Sequence, residues 1–181
     1  MNKDKSLATP ASGLVWWYYL PNNDKSKGGS GVGWSGSSWA ASDDIRNGSR
    51  AELYGAYWAK AWGWNYYTPS TTGNYSVLTK FYVTGRIISG SSLAVRVKVT
   101  DTTTGQTVTR TIFNPGAGYY NNQCVEEAEQ FYLQGGHRYA FTFETETNSS
   151  ALASATFSDF YEKEIGGVQR KIYFYSMSLS N

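Results

Sequence analysis

Apolar and polar residues alternate most cleanly between Tyr75 and Ile88. Tyr75, Val77, Thr79, Phe81, Val83 and Ile87 share one side, while Ser76, Lys80, Tyr82, Thr84 and Arg86 share the other. A period of two belongs to an extended strand, whose successive side chains point to opposite faces. The pattern recurs at Leu93–Thr100, where Leu93, Val95, Val97 and Val99 oppose Arg96 and Lys98. It recurs again at Arg138–Thr147, where Tyr139, Phe141 and Phe143 oppose Arg138, Thr142, Glu144 and Glu146. Thr107–Phe113, Val125–Leu133, Ala151–Tyr161 and Val168–Leu179 read as further strands. Gly-, Asn-, Ser- and Asp-rich stretches separate them: Ser89–Ser92, Asp101–Gln106, Asn114–Gly118 and Gly135-Gly136. These residues favour turns because they tolerate positive φ or bond back to their own backbone.

One stretch is longer and more aromatic than the rest. Ala51–Tyr67, AELYGAYWAKAWGWNYY, carries Glu52, Tyr54, Ala56, Trp58, Lys60, Trp62, Trp64 and Tyr66 at its even positions. Its odd positions hold mostly small residues, among them Ala51, Gly55, Ala59, Ala61 and Gly63. Tyr54, Trp58, Trp62 and Tyr66 also recur every four residues, as on a helix, but Gly55 and Gly63 each weaken a helix by about 1 kcal/mol against alanine. The balance favours a strand with one aromatic and one small-residue face. At about 3.3 Å per residue this stretch exceeds an ordinary strand, which predicts a bend near Gly55 or Gly63. The aromatic face is expected to fill the gap between two sheets; its competing use is a platform for sugar rings.

Ahead of it lies a different texture. Leu14–Leu20, LVWWYYL, is an apolar and aromatic run closed by Pro21, and reads as a strand. Residues 21–38, PNNDKSKGGSGVGWSGSS, are rich in Gly and Ser without periodicity and read as a long flexible loop. The first strand is therefore expected to hang on a tether. This divides the chain into residues 1–38 (strand and linker) and 39–181 (the main domain). Ser38–Gly48 is expected to hold a short helical turn, with Ser42 as its cap ahead of Asp43 and Asp44. About nine strands separated by turn signals predict an all-β fold, an antiparallel β-sandwich of jelly-roll type.

Composition agrees with that class. Of 181 residues, 15 are Tyr and 7 are Trp, and only 17% are charged. Such a mix suits pleated sheets in a protein working outside cells or on a particle surface. The net charge of +2 falls short of the basic balance expected of a nucleic-acid binder. No apolar run is long enough for a membrane-spanning helix, and Met1–Gly13 lacks the apolar stretch of a signal peptide.

Candidate chemistry is sparse. Cys124 is the only cysteine, so no disulfide within the chain is expected, and a small buried residue is its simplest reading. His137, the only histidine, falls in a predicted hairpin turn. Glu144 and Glu146 share an outward face with Arg96 and Lys98 nearby in pattern, so cross-strand charge pairs account for them more simply than glycosidase carboxylates do. No catalytic residue or metal site is assigned and no cofactor is expected, although Asp43, Asp44 and loop carbonyls have the oxygen chemistry for Ca²⁺. Asn47, Asn74 and Asn148 open Asn-x-Ser/Thr sequences and are candidate N-glycosylation sites.

Two functions are in competition, neither catalytic. In the first, the tethered strand Leu14, Val15, Trp16, Trp17, Tyr18, Tyr19 and Leu20 adds to a neighbour's sheet. The chain would then be a structural or adhesive subunit of an extracellular filament, surface layer or virion, forming a homo-oligomer or polymer. In the second, a carbohydrate-binding module, Trp34, Trp39, Trp58, Trp62 and Trp64 form a platform for polysaccharide. Because Ala51–Tyr67 is assigned to the core, the sequence points first to the N-terminal strand and to Trp34 and Trp39.

Overall fold

The computed structural model describes residues 14–40, 44–152, 155–160 and 170–181. Ten antiparallel strands run through them: β1 (Val15–Trp17), β2 (Asn22–Ala40), β3 (Asp44–Tyr67), β4 (Gly73–Ile87) and β5 (Ser91–Asp101), then β6 (Thr107–Phe113), β7 (Gly118–Leu133), β8 (Tyr139–Ala151), β9 (Thr156–Phe160) and β10 (Lys171–Ser180). The fold is an all-β antiparallel sandwich. One layer runs β1-β10-β4-β7 and the other β2-β3-β8-β5-β6, with β9 bridging β3 and β4.

Inward positions of the alternating strands meet between the layers. Phe81 of β4 lies 5.2 Å from Phe143 of β8, Phe143 lies 5.3 Å from Phe174 of β10, and Trp17 of β1 lies 5.2 Å from Phe141 of β8. Burying aromatic side chains of this size contributes about 1.5–3 kcal/mol each. These contacts hold the sheets face to face.

β3 belongs to both layers. Asn47–Ala51 pair with β9, while Gly55–Tyr67 pair with β8. The amide of Asn47 donates to the carbonyl of Ala59 at 3.4 Å and to Thr145 Oγ1 at 3.1 Å. A straight strand would hold residues 47 and 59 about 40 Å apart, so β3 folds over on itself. The bend sits at Leu53 and Tyr54, which have no partners on β2 because Gly31 pairs with Gly55 and Val32 with Glu52. Leu53 takes a positive φ of 57° there. The expected bend near Gly55 is thus a two-residue bulge just before it.

Three expectations about the first part of the chain are corrected. Residues 21–38 are not a loop: β2 hydrogen-bonds along almost the whole of β3, from Asn22 opposite Trp64 to Ala40 opposite Asp44, and crosses residue 38 without a break. The missing side-chain bulk of its glycines is supplied by β3. The Tyr57 hydroxyl donates to the carbonyl of Gly31 at 2.6 Å, and its ring lies where a Cβ on Gly29 would stand, 2.3 Å from Tyr57 Cδ1. An aromatic ring laid across strand glycines keeps an otherwise weak strand in the sheet.

Second, Leu14–Leu20 does not hang free. Val15, Trp16 and Trp17 pair with Leu179, Ser178 and Met177 of the same chain, and Trp17 and Leu20 are buried in its core. Third, the described residues of the stretch 38–48 hold no helical turn: residues 38–40 and 44–48 are strand, while residues 41–43, Ser42 and Asp43 among them, lie outside the described residues. Asp44 makes ion pairs with Arg46 at 2.7 Å and Lys171 at 3.8 Å, so its carboxylate is already engaged by cations.

Candidate functional site: an outward aromatic face

The inner face around the second half of β3 is lined by buried polar residues. Asn47, Thr145 and Thr147 are fully buried there, and Thr145 Oγ1 and Thr147 Oγ1 donate to the carbonyls of Ala61 (3.2 Å) and Ala59 (3.5 Å). Thr145 and Thr147 are the β8 neighbours of Ala61 and Ala59 in register, and Asn47 reaches the same inner face from the folded-over first half of β3. Ala59, Ala61 and Gly63 face inward, and the aromatic set is turned out. This corrects the assignment of Trp58, Trp62 and Trp64 to the core. All three are half-buried on the outer surface of the β2-β3-β8-β5 layer.

Register places their neighbours. Trp58 stands between Gly28 of β2 and Asn148 of β8, Lys60 between Ser26 and Glu146, Trp62 between Asp24 and Glu144, and Trp64 between Asn22 and Thr142. Side chains paired across strands lie side by side on one face. A carboxamide, a hydroxyl or a carboxylate thus flanks each indole. From Trp58 to Trp64 the row extends about 20 Å along the strand.

Trp58 is fixed from below. A Cβ built on Gly28 would lie 3.0 Å from Cε2, Cζ2 and Nε1 of the indole, so the ring rests on the backbone of β2. Beside it an open depression of about 390 Å³ is lined by Ala56, Trp58, Ser92, Asn148 and Ser150, with Gly90 at its rim.

A charged network braces the row. Arg96 Nη1 lies 3.2 Å from Glu144 Oε1 and 2.5 Å from Glu146 Oε2, Lys60 lies 3.4 Å from Glu146, and Lys98 is paired with Glu144. Asn148 Nδ2 donates to Glu146 Oε1 at 3.3 Å. Burial acts to raise the pKa of Glu146, but the Arg96 hydrogen bond and the charges of Lys60 and Arg96 outweigh it and hold the carboxyl below the ordinary carboxylate range. Cross-strand pairing of Glu144 and Glu146 with Arg96 and Lys98 is as the sequence pattern predicts.

The remaining candidates are scattered. Trp34 is half-buried on β2 opposite Arg50, and Trp39 pairs through its backbone with Ile45; both lie on a strand instead of a loop. Trp16 and Tyr18 stack on each other at 6.1 Å on the other layer, and Leu14 and Tyr19 are half-buried. Cys124 is exposed on β7 opposite Tyr82, which corrects its assignment as a buried residue. His137 Nδ1 lies 2.8 Å from Asp101 Oδ2 and serves the turn. Asn74 is exposed and Asn148 half-buried, whereas Asn47 is fully buried with its amide engaged, which closes that sequon in the folded chain.

No family model matches this chain, and no curated protein matches it. Solved structures give slight likenesses. A family 35 carbohydrate binding module from Clostridium thermocellum is 11% identical over 93% of this chain and 98% of that one, with a TM-score of 0.34. A xylan-binding domain from CBM 22 is 14% identical over 92% and 97%, with a TM-score of 0.29. The enzymatically active domain of bacteriophage CBA120 tailspike protein 4 is 14% identical over 87% of this chain, which spans 20% of the tailspike chain, with a TM-score of 0.36. Scores of this size carry no argument about what this chain binds.

Proposed function

We propose that this chain is a non-catalytic carbohydrate-binding module that works outside the cell or on a particle surface, and that it takes polysaccharide along the outer face of β3. One observation carries the reading: Trp58, Trp62 and Trp64 stand outward in a row, partly exposed, on a strand whose interleaved residues Ala59, Ala61 and Gly63 are buried on the inner face. Apolar C–H faces of sugar rings stack on indoles, while flanking amides, hydroxyls and carboxylates bond to sugar hydroxyls. Asn148, Ser92 and Asp24 supply such groups at the edges of the row. The length of the row suits a chain of sugars better than a single one.

The N-terminal strand offers less. Its pairing with β10 and the burial of Trp17 and Leu20 engage it within its own chain, which leaves the assembly reading without a free strand to donate.

Affinity electrophoresis through gels containing a panel of soluble polysaccharides tests the proposal. At least one polysaccharide is expected to retard the protein, and Trp62→Ala to relieve most of that retardation. Migration unchanged across the panel, with no adsorption to insoluble glycans, would overturn it.

A further inference from the structure

A second site lies on the opposite layer, where β4 meets β7 and β9. Arg86 points outward from β4, with its guanidinium held between two aromatic rings: its Cζ is 4.5 Å from the centroid of Tyr119 on β7 and 4.8 Å from that of Phe157 on β9. Cation–π contact with both rings holds the guanidinium between β7 and β9. Asp159, its register partner on β9, stands beside it but turns its carboxylate to Arg170; among the described residues Arg86 makes no ion pair, and its Nε is buried without a hydrogen-bond partner. A guanidinium with a donor left unpaired has hydrogen-bonding capacity that the fold does not use.

The surroundings are built for an acceptor. Arg170 stands at the same depression, oriented by its ion pair with Asp159. The depression measures about 190 Å³ and presents Thr84, Asn121 and Tyr119 beside the two arginines. It exists because β4 and β7 break register here: Asn122 takes a positive φ of 50° and donates its backbone N–H to Thr84 Oγ1 at 3.0 Å. Tyr119 is 73% exposed, so the ring that covers Arg86 also offers an open face.

We infer that Arg86 and Arg170 bind the carboxylate of an acidic sugar whose ring stacks on Tyr119. A planar carboxylate matches the guanidinium fork in bidentate fashion, and the open tyrosine face favours a sugar carrying that group over a bare inorganic anion. The site uses none of the residues of the tryptophan row, so the two stand or fall separately.

The test is an NMR titration of the full ¹⁵N-labelled chain with gluco- and galacto-configured oligouronides, with their neutral methyl esters, and with inorganic phosphate. The free acids are expected to shift the Arg86 Nε–H signal and the Tyr119 amide, and the esters to leave both in place. Arg86→Lys should weaken the response at least tenfold and Arg86→Gln should abolish it, with unchanged far-UV circular dichroism showing that both variants fold. Indole Nε1–H signals in the same spectra report the tryptophan row independently. No shift with either oligouronide, equal shifts with the methyl esters, or a response to phosphate alone would overturn the inference.

Discussion

The indole of Trp58 rests on the backbone of Gly28, with three of its ring atoms only 3.0 Å from where a Cβ would stand. This contact ties the most glycine-rich strand of the protein to its most aromatic one. It also orients the first member of the proposed binding row, so Gly28 controls both local stability and the site.

Substituting Gly28 tests that link. Valine there must displace the indole, and overpacking of this kind costs about 1–3 kcal/mol. Thermal unfolding of Gly28→Val should show the loss, and polysaccharide affinity should fall with it. Alanine at Gly29 should cost at least as much, because its Cβ would fall 2.3 Å from Tyr57 Cδ1 with φ at 155°.

The three tryptophans separate binding from folding. Trp62→Ala and Trp64→Ala are each expected to weaken polysaccharide binding about tenfold, about 1.4 kcal/mol. Their half-exposed positions make the accompanying loss of stability small beside that of Trp17→Ala, which empties a core site and should cost about 3–5 kcal/mol. Isothermal titration and chemical denaturation measure the two effects.

Glu144 is the anchor of the charged network. Its side chain is 7% exposed and holds both Arg96 and Lys98. Glu144→Gln leaves two cations close together with one carboxylate fewer, and should destabilise the fold by about 1–3 kcal/mol, less than a fully buried pair because both cations reach solvent. Urea unfolding measures it. A variant as stable as the parent would assign the network to the surface alone.

Acid should loosen the β5–β6 turn first. Burial acts to raise the pKa of Asp101, but the hydrogen bonds from His137, Thr103 and Thr104 prevail and lower it to about 2 from an ordinary value of 3.8. A carboxyl depressed in the folded state stabilises above its unfolded pKa, and that stabilisation is lost as pH falls through the folded value. Unfolding midpoints measured from pH 5 to pH 2 should therefore fall more steeply for the parent than for Asp101→Asn between about pH 4 and pH 2.

How much of this was legible in the sequence differs from element to element. β4, β5 and β8 announce themselves, because strict alternation has one physical meaning when one face is buried. β2 does not. Its glycines carry no pattern, and the residues that make it a strand, Tyr57 and Trp58, lie some thirty positions away. The two-faced character of β3 was legible, but not which face turns inward. Aromatic bulk argues for the core by default; here the polar residues Asn47, Thr145 and Thr147 occupy the interior and reverse it. The runs of small polar residues at inward parity on two strands were the signal available, and only their pairing in space gives it meaning. Arg86 reads in the sequence only as an outward charge, since neither Tyr119 nor Phe157 is its neighbour along the chain.

The most direct test of the account reads the seven indole Nε1–H signals during titration with a polysaccharide that retards the protein. The signals of Trp58, Trp62 and Trp64 should shift together with a single affinity, while that of Trp17, sealed in the core, stays in place. Saturable binding that leaves those three unmoved would contradict the assignment of the outer face of β3 as the binding surface.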